Sequence, residues 1–241
     1  MDNGTKLALN KIYEEWSNEL KINCSALLDS CYSNPLYIGI PQEWELAKQR
    51  IMIVGEEGYG SWGYGKAYGL KKGESAWTIH DIEKIQNYNL CAIEKYTKGR
   101  TAFWRRFKKI KDLGYPCIWN NLDKIHYLQK RKGLKHQLSK AEEQLLHSTK
   151  IKILQKEIEI LKPTVVVFFG WYYSSLIHEL PDICNKLYPQ GEGDNSLWKF
   201  NVVSLNVDNI TYVFTYHPAW HGKQKPVDYE DRVIKEIIKA L

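Results

Sequence analysis

Four apolar runs in this chain each end on residues able to do chemistry. IMIV (51–54) passes through Gly55 into Glu56 and Glu57 and a glycine-rich stretch, GEEGYGSWGYG. PCIWNN (116–121) ends on Asn120 and Asn121, PTVVVFFG leads into Trp171 and Tyr172, and ITYVFTY leads into His217 and Pro218. A carboxylate stabilises a developing cation or orients water, and a histidine stabilises a leaving anion. Amides and flat rings supply hydrogen-bond reading and stacking. Singly, each has a plain structural explanation: a Glu that caps a helix, an Asn that forms a turn, a His held before a proline. Together, at the ends of four sequence-distant runs, they read as one site.

The elements that must position them follow from periodicity. KLALNKIYEEWSNEL (6–20) puts Leu9, Ile12, Trp16 and Leu20 at helical spacing. A looser stretch from Asn23 to Pro41 carries the turn signals SNP and GIP. TAFWRRFKKIKDLG is a basic helix-like segment before PCIWNN. The longest helix is expected from Lys140 to Leu161, with Leu146, Ile153, Leu154, Ile158 and Leu161 on its buried side and Pro163 stopping it. PTVVVFFG looks buried on both faces. A helix near 173–180 and a PQGEGDNS loop follow. NVVSL and ITYVFTY are separated by Asn206-Val207-Asp208-Asn209, as in a hairpin, and Val227–Leu241 closes the chain as an amphipathic helix. Strands alternating with helices predict an α/β fold: a single domain over 1–241 with a central, mostly parallel four-stranded sheet flanked by helices. In such sheets ligands bind beyond the carboxyl ends of the strands, where the residues named above stand.

Composition narrows the class. The 241 residues are 44% hydrophobic and 26% charged, ordinary globular values that exclude wholesale disorder and fibrous folds. No apolar run approaches the roughly 20 residues of a membrane span, so no membrane partner is expected. The start shows no basic region followed by an apolar core, so a cytoplasmic location is expected. The five cysteines (24, 31, 91, 117, 184) form no CxxC pair, which argues against a disulfide framework, structural zinc or an iron–sulfur cluster; no metal and no cofactor are expected. No GxGxxG or GxxxxGK[ST] motif supports nucleotide binding. Lys and Arg outnumber Asp and Glu by 34 to 28, and aromatics reach 13%, with nine Trp and sixteen Tyr. Cations for phosphates and rings for unstacked bases suit a nucleic-acid binder.

The motifs IMIVGEEGYG, WNNLDK, PTVVVFFG and TYHPAW, in that order over about residues 50–222, resemble those of the uracil-DNA glycosylase superfamily. The N-terminal 1–49 would be a helical extension. The resemblance implies that fold and a monomeric enzyme that excises a base from DNA. It places Glu57, with Glu56 beside it, at the acidic position that orients water or stabilises the sugar cation, and Tyr59 at the pocket wall. Asn121 or Asn120 would read the base edge, Phe103 or Trp104 would stack on the flipped base, and His217 would support the departing base. Trp220, with His221 next to it, falls in the loop where relatives insert an apolar wedge. The chain departs from the commonest uracil enzymes, which carry Asp where Glu57 stands, Pro where Gly58 stands, and Ser after His-Pro, where this chain has Ala219. Gly58, Gly60, Gly63 and Gly65 remove bulk near the expected pocket, so a base larger than uracil would fit.

From Lys98 to Lys111 the segment KGRTAFWRRFKKIK carries seven Lys or Arg and no acid, interleaved with Phe103, Trp104 and Phe107. Arg100, Arg105, Arg106 and Lys108 are its expected DNA contacts, and the stretch from Lys124 to Lys140 would extend the footprint. The expected function is excision of a modified base, such as a bulky pyrimidine of phage DNA in antiviral defence. The alternatives are uracil excision in repair and a catalytically inactive DNA-binding module of the same fold.

Overall fold

A computed structural model describes residues 3–24, 27, 35–55, 82–97, 101–125, 138–170, 202–215 and 229–241. They form α1 (Asn3–Asn23), β1 (Ile51–Gly55), α2 (Ile82–Tyr96), α3 (Ala102–Lys111), β2 (Cys117–Asn121), α4 (Lys140–Leu161), β3 (Val165–Phe169), β4 (Val202–Val207), β5 (Ile210–Thr215) and α5 (Tyr229–Ala240). They group into two compact units interleaved along the chain. One is drawn from Met1–Ile40, Glu57–Cys91 and Asn121–Leu161, the other from Pro41–Glu56, Ala92–Asn120 and Lys162–Leu241. The helix expected near 173–180 lies outside the described residues. No described helix is long and apolar enough to cross a membrane.

The second unit is built on a sheet of five strands in the order β2-β1-β3-β5-β4, not the four expected. The additional member is β4, the NVVSL segment, which pairs antiparallel with β5 from Val202↔Thr215 to Val207↔Ile210 and forms one edge. The turn between them occupies Asp208 and Asn209, at φ 51° and 64°. Two successive left-handed residues give a twist that matches the flanking strands, and Asp and Asn tolerate that conformation best after glycine. β1 and β3 run parallel in the register Ile51↔Val165 to Val54↔Phe168, and β3 and β5 in the register Val165↔Thr211 to Phe169↔Thr215. Ile51 N–H donates to the Pro116 carbonyl at 3.0 Å, so β1 and β2 start together. Every residue of β1, β2 and β3 is buried, as continuous apolar runs in a doubly covered sheet require. α5 packs on β5 and β4 through Val233 and Ile237.

The first unit is helical. α1 packs on α4 and buries Leu9, Ile12, Tyr13, Trp16 and Leu20. Ser139 and Glu142 cap the start of α4 reciprocally: the Ser139 N–H donates to Glu142 Oε2 at 2.8 Å, and the Glu142 N–H donates to Ser139 Oγ at 3.3 Å. Pro163 follows its end. Residues 35–40 lie directly on α2, where Asn89 Nδ2 donates to the Tyr37 carbonyl at 2.6 Å. That approach requires Gly39, since a Cβ there would meet the Gln86 carbonyl oxygen at 2.3 Å. Within the unit, Tyr13 Oη donates to Glu157 Oε1 at 2.6 Å and Lys124 Nζ pairs with the same oxygen at 2.8 Å, all three side chains fully buried.

Burial in both units sets the alkaline limit of stability. It pushes the Tyr13 and Tyr37 hydroxyls above their usual range, aided at Tyr13 by the Glu157 carboxylate. Burial also pushes the Cys117 thiol and the Tyr212 hydroxyl up to about 12. An unfolded chain gives up these protons from about pH 8.5 (Cys) to 10 (Tyr), whereas the folded chain keeps them. Above those values the unfolded state binds fewer protons, so stability falls by about 1.4 kcal/mol per pH unit for each group. Urea unfolding between pH 7 and 11 should therefore show stability unchanged by these groups below about pH 8 and a steepening loss above pH 10. A level curve to pH 11 would mean that the four groups are open to solvent.

Candidate active site

The parallel register brings the carboxyl ends of β1, β3 and β5, at Gly55, Phe169 and Thr215, to one edge of the sheet. Gly170 N–H donates to the Thr215 carbonyl at 3.1 Å, joining two of these ends. Gly170 has φ 152°, where a side chain would be strained, so the chain leaves β3 on a residue suited to that exit. The strands that precede Glu56, Glu57 and His217 thus end together. Glu56, Glu57, Tyr59, Arg100, His217, Trp220 and His221 themselves lie outside the described residues, as do Trp171 and Tyr172.

The pleat separates the two asparagines, because successive strand residues point to opposite faces. Asn120 is fully buried, and its Nδ2 lies 3.7 Å from Met52 Sδ on the face that also carries Val54 and Phe168. There Phe168 stacks on Phe214 at 5.1 Å between ring centroids. Asn121, 2% exposed, falls by alternation on the Trp119 side of β2. Of the two candidates for base reading, Asn120 is committed beneath the sheet and Asn121 is turned the other way.

α3 lays its aromatic residues on the Phe169 and Trp119 side of the sheet. The helix starts at the Thr101 cap, whose Oγ1 accepts from the Trp104 N–H at 3.5 Å, and it buries Arg106, Phe107 and Ile110. Phe103 meets Phe169 edge-on at 6.0 Å and 80°. Trp104 meets Trp119 at 5.0 Å and 68°, and Tyr96 at 5.5 Å. Edge-to-face contacts of this kind hold ring positions as well as burying area. Phe103 and Trp104 are half-buried, so each belongs to this cluster while keeping part of its surface outside it. Trp119, adjacent to Asn120, and Thr215, fully buried at the end of β5, belong to the same edge and were not singled out from sequence. Each sits inside a strand-like run whose composition gives it no separate signal.

The basic face differs from expectation at two positions. Arg106, expected to contact DNA, is only 6% exposed. It lines a hollow with Lys109 and Ile110 of α3, Phe169, and Val233 and Ile234 of α5, because positions 103, 106, 107 and 110 make up the inward stripe of α3. Lys124, expected to extend the DNA footprint, is buried against Glu157 and presents no charge to a ligand surface. Lys108 is exposed as expected but pairs with Asp112 at 2.5 Å, which offsets part of its field. Arg105 and Lys111 are exposed on the outward side of α3, and Lys109, also exposed, borders the hollow that Arg106 lines. Among the described residues no group of three or more His, Cys, Asp or Glu is placed to hold a metal.

No family model matches the chain, and no curated protein matches it at a significant level.

Proposed function

We propose that this protein is a DNA glycosylase with the uracil-DNA glycosylase type of fold, acting on a modified or unusual base. The observation that carries the reading is the shared edge. The strands leading to the Glu56–Glu57 pair and to His217 flank β3 and end at the same edge of the sheet, against a helix that combines aromatic and basic residues.

A base inside a duplex must be extruded before any side chain can reach its glycosidic bond, at a cost of about a few kcal/mol. Arg100, Arg105 and Lys108 hold phosphates on either side of the extruded nucleotide, and Trp220 and His221 enter the vacated stack. Phe103 or Trp104 stacks on the flipped base, Tyr59 walls the pocket, and Asn121 reads the pairing edge. Scission of the N-glycosidic bond leaves its electron pair on the base and positive charge on the sugar. Glu57 stabilises that cation and orients water, whose oxygen bonds to the anomeric carbon and whose proton is released. His217 stabilises the departing base anion, a division of labour shared with other glycosyl cleavages.

The glycines at 58, 60, 63 and 65 favour a substrate wider than uracil at C5. Substituents at C5 lie in the major groove and do not disturb pairing, so modified phage DNA can carry them. The test is a side-by-side assay on DNA containing uracil or a C5-enlarged pyrimidine, with alkali revealing abasic sites. The expected result is weak or absent release of uracil and faster release of the enlarged base. Rapid uracil release, untouched by Gly58→Val or Gly60→Val, would point to ordinary repair. DNA binding without release of any base would leave a binding module.

A further inference from the structure

We infer that Tyr13, Glu157 and Lys124 form a buried clamp that fixes the segment after β2 and thereby positions Asn121; the role assigned to Asn121 rests on the glycosylase reading. The clamp joins three sequence-distant segments within the helical unit. Glu157 on α4 accepts from Tyr13 Oη of α1 at 2.6 Å and pairs with Lys124 Nζ at 2.8 Å. Lys124 stands three residues beyond Asn121. One residue earlier, Asp123 pairs with Lys150 at 2.7 Å. Lys150 and Glu157 are seven positions apart, two turns along one side of α4, so consecutive residues after β2 are tied to one helix at two heights.

The backbone closes the clamp. The Leu36 N–H donates to the Lys124 carbonyl at 2.8 Å, and the Ile38 N–H donates to Tyr13 Oη at 3.1 Å. Between them Tyr37 stacks on Tyr13 at 4.6 Å. Burial pushes the Lys124 ammonium below its usual range, and the Glu157 carboxylate acts against that shift.

Stability alone does not call for such a trio. Desolvating two charges offsets their attraction, and apolar residues of similar volume often hold a core as well or better. What charges and hydroxyls add is direction, since short hydrogen bonds tolerate little displacement. Directional support behind a binding residue is the arrangement that keeps it within reach of its ligand. Lys124, Glu157 and Tyr13 are therefore positioning residues, remote from the reacting atoms.

The test uses the full-length chain with Tyr13→Phe, Lys124→Met and Glu157→Leu combined, an apolar set of similar volume. Three quantities are compared with the parent: the melting temperature, amide hydrogen exchange over Asn121–Ile125, and single-turnover excision on the DNA that the parent cleaves best. Asn121→Ala is made in both backgrounds. The expected result is a melting temperature lowered by no more than about 10 °C, the loss that the Ile38 N–H without its acceptor accounts for, with exchange at least about tenfold faster at 121–125 and excision reduced about tenfold or more. Asn121→Ala should then harm the parent far more than the triple variant, because residues acting as one unit are non-additive. Unchanged exchange, unchanged excision or simple additivity would each overturn the clamp. A parent that excises no base overturns the glycosylase reading alone, and exchange still decides whether the segment is clamped. If the triple variant does not fold, Tyr13→Phe decides by the same measurements, since it removes only one hydroxyl.

Discussion

Glu57→Gln is expected to lower base excision by a hundredfold or more while folding and DNA affinity stay at their parental values. This is the largest effect expected of any single substitution in the proposed site. The change keeps the size and hydrogen-bonding reach of the side chain and removes only the charge. A preorganised group aimed at charge that develops in the transition state is worth about 2.7–4 kcal/mol, or about 10²–10³ in rate. The neighbouring carboxylate is the internal control. Glu56→Gln should be mild, since the proposed mechanism places the cation-stabilising charge on Glu57. Single-turnover excision with enzyme in excess isolates the chemical step, and a binding assay under the same conditions shows that DNA is still held. Greater damage from Glu56→Gln would transfer the role to that residue. If neither substitution slows excision, the paired acids belong to the fold and the proposed mechanism fails.

Arg105→Glu and Arg106→Glu, adjacent in α3, are expected to fail in different ways. Arg105 is exposed, so its reversal removes the proposed phosphate contact without disturbing the core. DNA affinity should drop for every sequence alike, and the salt dependence of log K should flatten by about one unit of slope. The melting temperature should not move. Arg106 sits in the hollow with Lys109, Ile110, Phe169, Val233 and Ile234. A carboxylate there is largely buried among apolar side chains, with the solvent-exposed Lys109 offsetting a small part of its charge, and disruptions of that kind cost about 3–5 kcal/mol. At about 2–4 °C per kcal/mol for a chain of this size, melting should fall by about 6–20 °C. Thermal unfolding and salt titrations of both variants make the comparison. An Arg106→Glu chain that melts normally but binds DNA poorly would return Arg106 to the phosphate-contacting face.

Several elements were legible in the sequence because their causes are local. The bounds of α4 follow from the Ser139–Glu142 capping box and from Pro163, all within a few residues of its ends. β1 and β3 are unbroken β-branched and apolar runs, which only a doubly covered strand tolerates, and β1 was placed to within one residue. The hairpin between β4 and β5 announces itself through Asp208 and Asn209. The helix Ile82–Tyr96 was not anticipated, although Ile82, Ile85, Ala92 and Ile93 repeat at helical intervals. Gln86 and Asn89 interrupt the apolar stripe, and they are buried only because Asn10 and the Tyr37 carbonyl bond them from other segments.

The amino-acid sequence by itself determined the α/β class, the strand runs that lead to the proposed catalytic residues, and the basic, aromatic character of α3. Tertiary structure decided what each polar residue does. Arg105 and Arg106 are indistinguishable in a charge count, yet one faces solvent and the other a largely apolar hollow, because successive helix positions are separated by about 100° and α5 covers only one side. Asn120 and Asn121 are separated in the same way by the strand pleat, which sends the first towards Met52. Glu157 lies in a stripe with Ile153, Leu154, Ile158 and Leu161, where a carboxylate is costly unless paired. Its partners stand 144 and 33 positions away, at Tyr13 and Lys124, and no local pattern encodes a pairing at that range.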